Sequence, residues 1–391
     1  MENKKENIMN KRLIRLMILV CATSLLIGCS KENATSKLGN EYSLEYDDQY
    51  YFENHVIAKS KDGYYINYDA QQLYYMADTV GLTLVCAKPE CNHQGEDCLA
   101  QMFEEGEQVY YYNNKLYFVT LDVNTLEYWL YECNLDGTEQ NKLTYLFTQG
   151  ENGIVYSVML HRGYAYYEVS NHSLLDNGKR ELYRIELKKN AEKEIVDTVE
   201  GYGSSFLRVQ GDGEYIYYEK ANYTDQQGTE FQTSLNRYHC NTKKVEEVYE
   251  QSIYDYYIEN DEVYFSDLQG VNKLNMTSKE VVSLVSFSDS EEDYNMYYDG
   301  TYIYLDNKIA IQSAMGERDD SERKIHIYDK KGSLINTLEI GNRNGFIAGD
   351  EKYLFLLNNW EQPEGTNAIV SIIDKSNIAT GQLEWIHLEG E

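Results

Sequence analysis

The stretch Val109-Tyr-Tyr-Tyr-Asn-Asn-Lys-Leu-Tyr-Phe-Val119 decides the fold of this chain. Two runs of aromatic and apolar residues, a composition that favours β-strands, flank the pair Asn113-Asn114. Asparagine tolerates the positive φ angles that a two-residue hairpin turn requires. The stretch therefore predicts an antiparallel β-hairpin.

Six further copies of this pattern follow one another along the chain. Their turn pairs are Asp62-Gly63, Arg162-Gly163, Asp212-Gly213, Asn260-Asp261, Asp299-Gly300 and Gly349-Asp350. Counting Asn113-Asn114, successive turns are 51, 49, 50, 48, 39 and 50 residues apart. Most copies are followed by two more strand-like runs, such as residues 130–137 after the second turn. Each repeat thus predicts four antiparallel strands.

A four-stranded sheet cannot bury its apolar faces alone, whereas several such sheets stacked around an axis bury one another. The repeats therefore predict an all-β fold, a seven-bladed β-propeller of four-stranded antiparallel blades, as one domain over residues 41–391. The 39 tyrosines agree with many half-buried strands. Two stacked β-sandwiches are the alternative, but they leave the even spacing unexplained. We expect the glycine-rich segment Gly201–Ser205 to be a loop between two blades.

The N-terminus has the parts of a bacterial secretory signal. Residues 1–15 carry five lysines and arginines, residues 16–27 are largely apolar, and Gly28 precedes Cys29. The apolar run is shorter than the roughly 20 residues that a membrane-spanning helix needs. The segment Leu26-Ile-Gly-Cys29 resembles the lipobox of bacterial lipoproteins. We expect residues 1–28 to be a lipoprotein signal peptide, and residues 29–40 to be a lipidated Cys29 followed by a flexible polar tether.

A diacylglyceryl group on Cys29 supplies two acyl chains, such as palmitate, and two chains are what stable membrane anchoring requires. The sequence thus predicts a lipid-anchored protein at the cell membrane, facing the extracellular side. Its formal net charge of −30 argues against nucleic acid as a partner and against direct adhesion to anionic lipid.

Four metal-ligating side chains crowd into one 13-residue segment, in the pattern C-x4-C-x-H-x4-C. They are Cys86, Cys91, His93 and Cys98, a Cys₃His set that structural Zn²⁺ accepts. Secretion favours a disulfide instead, although three clustered cysteines would leave one thiol unpaired. Both interpretations stay open. Under either one, the cluster is a structural clasp, because four protein ligands leave no open position for a substrate.

Cys133 and Cys240 occupy equivalent positions in two different repeats, in Tyr-Glu-Cys133-Asn and Tyr-His-Cys240-Asn. Equivalent positions in separate blades lie far apart. We therefore expect these cysteines not to be bonded to each other and to be small buried residues.

Three features together resemble a known group of proteins. They are the lipobox, the tyrosine-rich repeats with strands such as Leu130-Tyr-Glu-Cys-Asn-Leu-Asp-Gly137, and the segment Cys86-Ala-Lys-Pro-Glu-Cys91-Asn-His93. These resemble uncharacterised Tyr-rich β-propeller lipoproteins of Gram-positive bacteria, and the strands are similar to the repeats of TolB-type and YWTD-type propellers. The resemblance implies the architecture and the lipid anchor, and it implies no activity. The YWTD tetrad itself does not occur here, so a receptor-like role is not implied.

The sequence contains no G-x-S-x-G elbow, no H-E-x-x-H pair and no phosphate-binding glycine loop. The first hypothesis is therefore a non-catalytic binding or scaffold module for an extracellular glycan, peptide or protein. A surface enzyme such as a polysaccharide lyase or hydrolase is the second, because propellers assemble sites from separate blades. A structural component of envelope assembly, as the resemblance to TolB-type propellers suggests, is the third.

Overall fold

The computed structural model describes residues 56–68, 72–77, 81–93, 98–101, 108–148, 154–170, 177–225, 229–287, 294–307, 323–340, 344–347, 349–359, 368–381 and 383–389. These residues form β-strands and one 3₁₀ helix, Lys375–Thr380. None of the helical structure in these ranges is long and apolar enough to cross a membrane. The signal peptide, Cys29 and the tether predicted for residues 1–40 lie outside the described residues.

The first two sheets each contain four strands in chain order. The first sheet consists of β1 (Ile57–Lys59), β2 (Gly63–Tyr68), β3 (Gln72–Ala77) and β4 (Leu82–Leu84). The second sheet consists of β5 (Val109–Tyr112), β6 (Lys115–Asp122), β7 (Glu127–Cys133) and β8 (Asn141–Thr148).

The third sheet contains seven strands, again in chain order. It consists of β9 (Ile154–His161), β10 (Tyr164–Ser170), β11 (Asn177–Glu186), β12 (Lys193–Asp212), β13 (Tyr215–Tyr223), β14 (Phe231–His239) and β15 (Val245–Tyr249).

The last three sheets have four strands each. The fourth consists of β16 (Asp255–Glu259), β17 (Glu262–Asp267), β18 (Gly270–Asn275) and β19 (Val281–Ser286). The fifth consists of β20 (Asn295–Tyr298), β21 (Tyr302–Asp306), β22 (Lys324–Asp329) and β23 (Leu334–Glu339). The sixth consists of β24 (Asn344–Ile347), β25 (Tyr353–Asn359), β26 (Ala368–Asp374) and β27 (Ile386–Glu389).

Two of the predicted turn pairs illustrate the expected backbone conformation, whereas no residue of Asp62-Gly63 or Gly349-Asp350 has a positive φ, so the turn conformation predicted there is wrong. Asn113 and Asn114 have φ values of 47° and 60°, and Asn260 and Asp261 have values of 49° and 63°. These values lie in the left-handed region, as two-residue turns of the I′ type require. The prediction of antiparallel hairpins at these pairs is confirmed, since β5 pairs with β6 and β16 pairs with β17 in antiparallel register.

The 20-residue strand β12 joins what the sequence predicts as two separate blades. Its first half pairs with β11, up to Tyr202 opposite Asn177, and its second half pairs with β13, down to Asp212 opposite Tyr215. The expectation of a loop at Gly201–Ser205 is therefore wrong. Gly201 (φ 139°) lets the strand change partners without a break, because glycine adopts such angles without strain. The described residues form six sheets, so seven separate blades are not confirmed.

The described residues form seven apolar clusters, six between pairs of sheets and one within the third sheet. One of them lies inside the third sheet, where residues of β9–β11 such as Tyr166 pack against residues of β13 such as Tyr218. Five others join successive sheets in chain order. The seventh joins the sixth sheet to the first, with Phe355 and Tyr353 against Tyr64 and Ile66. The buried core is thus a closed series of interfaces.

The contact between the first and sixth sheets also includes charged groups. The Tyr64 hydroxyl donates to Asp350 Oδ2 at 2.6 Å, and Lys59 Nζ lies 2.8 Å from the same carboxylate oxygen. Lys59 Nζ also lies 2.6 Å from Glu351 Oε1. Because 286 residues separate Tyr64 from Asp350, this contact links the two ends of the described chain.

Buried polar side chains accept hydrogen bonds from backbone N–H groups on a strand of the sheet half or sheet that follows in the chain. Val158 donates its N–H to the Tyr110 hydroxyl, Ile258 to Gln210 Oε1 and Met296 to Asp255 Oδ2. Phe206 donates to Glu168 Oε2 at 2.8 Å. An exposed row of such groups would otherwise be open to pairing with other chains. At these four positions, the polar side chains thus satisfy backbone N–H groups that no neighbouring strand pairs.

Two of the buried acids, Glu168 and Glu219, have raised pKa values. Burial raises the pKa of Glu168 to about 7, against a smaller opposite effect of the Phe206 N–H and the Arg180 charge. Burial likewise raises the pKa of Glu219 to about 7, opposed by the charge of Arg208. The native state therefore binds these protons more tightly than the unfolded chain, in which a glutamate titrates near pH 4.3.

We expect the free energy of unfolding to fall as the pH rises from about 4.5 to about 7, because within that range the native state holds more protons than the unfolded chain. Above pH 7, these two carboxyl groups should change the free energy of unfolding little further. The loss is on the order of 3 kcal/mol for each carboxyl group. Denaturant unfolding of wild type and Glu168→Gln at pH 5 and pH 8 measures it. The variant should lose distinctly less stability between the two pH values. An unchanged loss, equal to that of the exposed control Glu280→Gln, would contradict the assignment.

Candidate metal centre

The four residues of the predicted metal set lie in the connection between β4 and β5. Strand β4 ends at Leu84, and the backbone stays attached to the sheet, because Val85 N–H donates to the Leu73 carbonyl at 2.9 Å. Cys86 follows directly, and the Cys91 N–H donates to the Lys88 carbonyl at 3.1 Å, which closes a turn. The connection therefore leaves the sheet in a folded loop that begins at the first cysteine.

The structure brings the four predicted ligands together. One ligand atom from each of Cys86, Cys91, His93 and Cys98 lies within 4.8 Å of all the others. The Cys98 sulfur lies 3.5 Å from His93 Nδ1. In a tetrahedral zinc site with bonds of about 2.0 to 2.3 Å, ligand atoms lie about 3.3 to 3.8 Å apart. A small contraction of the set would thus accommodate the ion.

The thiols in this cluster are all free, so the structure contains no disulfide among the described cysteines. Cys98 is buried, and the other three ligands are half-buried. The cluster could hold a metal ion. The alternative of a disulfide with one spare thiol is not formed here, and the choice of zinc as the ion stays a prediction.

Hydrogen bonds to β3 hold the backbone around the ligands at two positions. His93 has a left-handed φ of 58°, and its carbonyl accepts a hydrogen bond from Gln72 Nε2 on β3. Ala100, two residues beyond Cys98, accepts the Leu73 N–H at 2.9 Å. These bonds attach the loop to the first sheet.

The second sheet contacts the same loop through its β7–β8 turn. Gly137 (φ 80°) approaches so closely that a Cβ atom there would lie 3.1 Å from the Val85 carbonyl oxygen and 3.2 Å from Leu99 Cβ. Glycine is favoured at this position both by the angle and by the space. The Tyr65 hydroxyl of the first sheet donates to the Leu135 carbonyl of the same turn. The cluster therefore lies where the first two sheets meet.

The local environment affects the pKa values of two of the thiols differently. Burial acts to raise the pKa of Cys86, but hydrogen bonds from the Lys88 and Leu99 N–H groups and the neighbouring thiols outweigh it, so the pKa is lowered. Burial raises the pKa of Cys98. Metal binding requires thiolates, and the backbone donors at Cys86 stabilise that form.

Cys133 and Cys240 have the environment predicted for them. Both are free and buried, with exposed fractions of 0% and 2%. Cys133 packs in the apolar cluster between the first two sheets, and Cys240 packs in the cluster within the third sheet. The prediction that they are not bonded to each other is confirmed.

The sequence analysis missed a second polar feature, a pocket between the second and third sheets with a volume of about 200 Å³. Its charged lining includes Lys179 and Glu181 on β11 and Lys193 on β12. The only sequence signal for it is the alternation Lys179, Glu181, Tyr183, which places three functional side chains on one face of a strand.

Comparisons with known proteins do not place the chain in a family. No family model and no curated protein matches it. BamB from Moraxella catarrhalis is 13% identical with a TM-score of 0.40, over 77% of this chain and 81% of BamB. Hsv2 from Kluyveromyces lactis is 9% identical with a TM-score of 0.49, over 84% and 92% of the two chains. The tricorn protease is 9% identical with a TM-score of 0.48, over 88% of this chain and 35% of the protease.

Proposed function

We propose that this chain is a seven-bladed β-propeller lipoprotein, anchored on the extracellular side of the membrane through Cys29. It acts there as a non-catalytic binding or scaffold module for an extracellular glycan, peptide or protein. A zinc ion held by Cys86, Cys91, His93 and Cys98 stabilises its first two blades.

The closed series of seven apolar clusters is the observation that carries this proposal. The two halves of β12 pair with different neighbours, so the third sheet contains two groups of four strands that share this strand. With the other five sheets, this gives seven groups, and the first packs against the last. A body closed in this way is rigid, and rigid scaffolds that present loops are typical of binding proteins.

The chemistry of the donor set supports zinc. Three sulfur ligands and one imidazole nitrogen form a set that structural zinc sites use. Mg²⁺ and Ca²⁺ prefer oxygen ligands, so a set of soft thiolates does not suit them. The loop between β4 and β5 contacts both of the first two sheets, so an ion there would tie them together. It would supply stability and no catalytic step.

The anchor is tested together with the binding role in cells that produce the full chain. Wild type should sediment with membranes, incorporate labelled palmitate and form crosslinks to an envelope component when a membrane-impermeant crosslinker is added. Cys29→Ala should lose the label and leave the membrane fraction, because removal of the thiol removes both acyl chains.

Two outcomes would contradict the proposal. Palmitate labelling that persists in Cys29→Ala would place the lipid elsewhere. A wild-type protein that is anchored but forms no crosslink to any glycan, peptide or protein of the envelope would remove the support for a binding or scaffold role.

A further inference from the structure

The pocket between the second and third sheets lies where three strands end or begin. Thr148 is the last residue of β8, Val169 is near the end of β10, and Lys179 is near the start of β11. At about 200 Å³, it is smaller than the roughly 300 to 1,000 Å³ of pockets for drug-sized molecules. Its size suits one sugar residue or a similarly small group.

One wall of the pocket is a row of polar side chains on β11. Lys179 Nζ lies 2.7 Å from Glu181 Oε1, and the Tyr183 hydroxyl donates to Glu181 Oε2. The hydrogen bond from Lys179, followed by that from Tyr183, lowers the pKa of Glu181, so its carboxylate is ionised at neutral pH. This wall therefore offers a charged acceptor with an ammonium donor beside it.

Aromatic rings in the pocket are held in place by other rings. Phe147 stacks on Tyr128 with centroids 4.5 Å apart and planes 7° apart. Tyr183 stacks on Tyr167 with centroids 5.6 Å apart. The Tyr183 ring has Tyr167 on one side and the Lys193 ammonium group over it. Phe147 provides a flat apolar surface at little entropic cost, which favours contact with the C–H face of a sugar.

Two hydroxyl groups and a second lysine complete the polar lining. The Tyr145 hydroxyl lies 2.8 Å from the Thr148 hydroxyl, on the β8 side. Lys193 Nζ lies 4.6 Å from the centre of the Tyr183 ring. Among the described residues, Lys193 forms no ion pair. Its positive charge acts on the nearby Glu181 carboxylate, and a carboxylate of a ligand would be attracted to the same ammonium group.

The charge of this lining differs from that of the chain as a whole. The chain carries 65 acidic residues against 35 lysines and arginines, whereas the pocket has the exposed Lys179 and Lys193 against Glu181 alone. Arg180 also lines the pocket, but it is buried and its charge acts on Glu168. A local excess of positive charge in an acidic protein favours an anionic ligand.

We propose that this pocket binds one acidic sugar residue, a pyranose that carries a carboxylate, within an extracellular polysaccharide. Lys193 binds the carboxylate, Glu181 and the paired hydroxyls of Tyr145 and Thr148 bind sugar hydroxyls, and the ring of Phe147 covers an apolar face. This inference rests on the proposed binding function and names its ligand class.

Calorimetric titration of the full chain, purified in detergent, tests the inference. The ligands are a galacturonate trisaccharide and the neutral galactose trisaccharide of the same linkage. Wild type should bind the acidic sugar and bind the neutral one at least about tenfold more weakly, the effect of losing one charge-assisted hydrogen bond. Lys193→Ala should weaken binding of the acidic sugar by a similar factor. Lys142→Ala, which removes a lysine that lies over Trp129 outside the pocket, should leave it unchanged.

Equal affinity for both sugars, or equal effects of the two lysine substitutions, would overturn the inference. Binding of neither sugar would overturn it too. The crosslinking experiment tests the proposed function separately, because it does not depend on this pocket. It would still reveal an envelope partner if neither sugar binds.

Discussion

Replacement of Cys98 by serine is expected to destabilise the protein by more than about 4 kcal/mol when the wild type is loaded with zinc. The free energy of metal binding is part of the folding free energy of a structural site, because the unfolded chain has no preformed set of ligands. Cys98 is the most buried of the four ligands, and its loss leaves three. A zinc chelator should destabilise wild type to a similar degree and have no further effect on Cys98→Ser. Denaturant unfolding monitored by tyrosine fluorescence measures both effects.

Cys133→Ala is the matched control for this experiment. It also removes a buried free thiol from the interface of the first two sheets, but it leaves the metal set intact. We expect a smaller loss that is characteristic of a small core substitution, with chelator sensitivity preserved. If the chelator has no effect on wild type and Cys98→Ser behaves like Cys133→Ala, the cluster holds no structural metal.

Lys375→Ala is expected to cost about 3 to 5 kcal/mol, because it leaves a buried carboxylate without its counter-charge. Lys375 Nζ lies 2.5 Å from Asp299 Oδ2, and both side chains are almost fully buried. The same ammonium donates to the Asp350 carbonyl, and the Tyr304 hydroxyl donates to Asp299. Lys375 begins the 3₁₀ helix that follows β26 of the sixth sheet, and Asp299 lies in the turn between β20 and β21 of the fifth. The pair therefore connects the fifth sheet to the helix after the sixth.

Lys188→Ala is the control for the loss of a lysine, since Lys188 pairs with Glu186 and both are exposed. An exposed pair contributes less than about 1 kcal/mol. Thermal or denaturant unfolding should therefore separate the two variants clearly. The double variant Lys375→Met with Asp299→Asn should recover part of the loss, because it removes both charges together. Equal small effects of Lys375→Ala and Lys188→Ala would show that the buried pair does not hold the sheets together.

The repeated hairpins could be predicted from the sequence because their signal is local. Positive φ at Asn113-Asn114 follows from the residues at the turn, and strand preference follows from the aromatic runs beside it. The continuity of β12 could not be predicted in this way. Gly201 and Gly203 favour both a loop and a bent strand, and the choice depends on Asn177 and Tyr223, which pair with Tyr202 from either side.

Of the two candidate sites, the cysteine cluster could be predicted from local sequence and the pocket could not. The three cysteines and His93 are within 13 residues, so their spacing alone predicted that they would meet. The pocket could not be predicted, because Tyr145 and Phe147 belong to one sheet and Lys179 and Lys193 to the next. Its residues come together only through the packing of two sheets, which one sequence does not reveal.

The metal content of the full wild-type chain tests the central claim, that a metal ion joins the first two sheets, most directly. The chain is purified without added metal, analysed by plasma mass spectrometry and then titrated for thiols under denaturing conditions. We predict one zinc ion per chain, with Cys86, Cys91 and Cys98 all present as thiols once the metal is removed. A chain without stoichiometric metal, in which two of these three cysteines are joined in a disulfide, would contradict it.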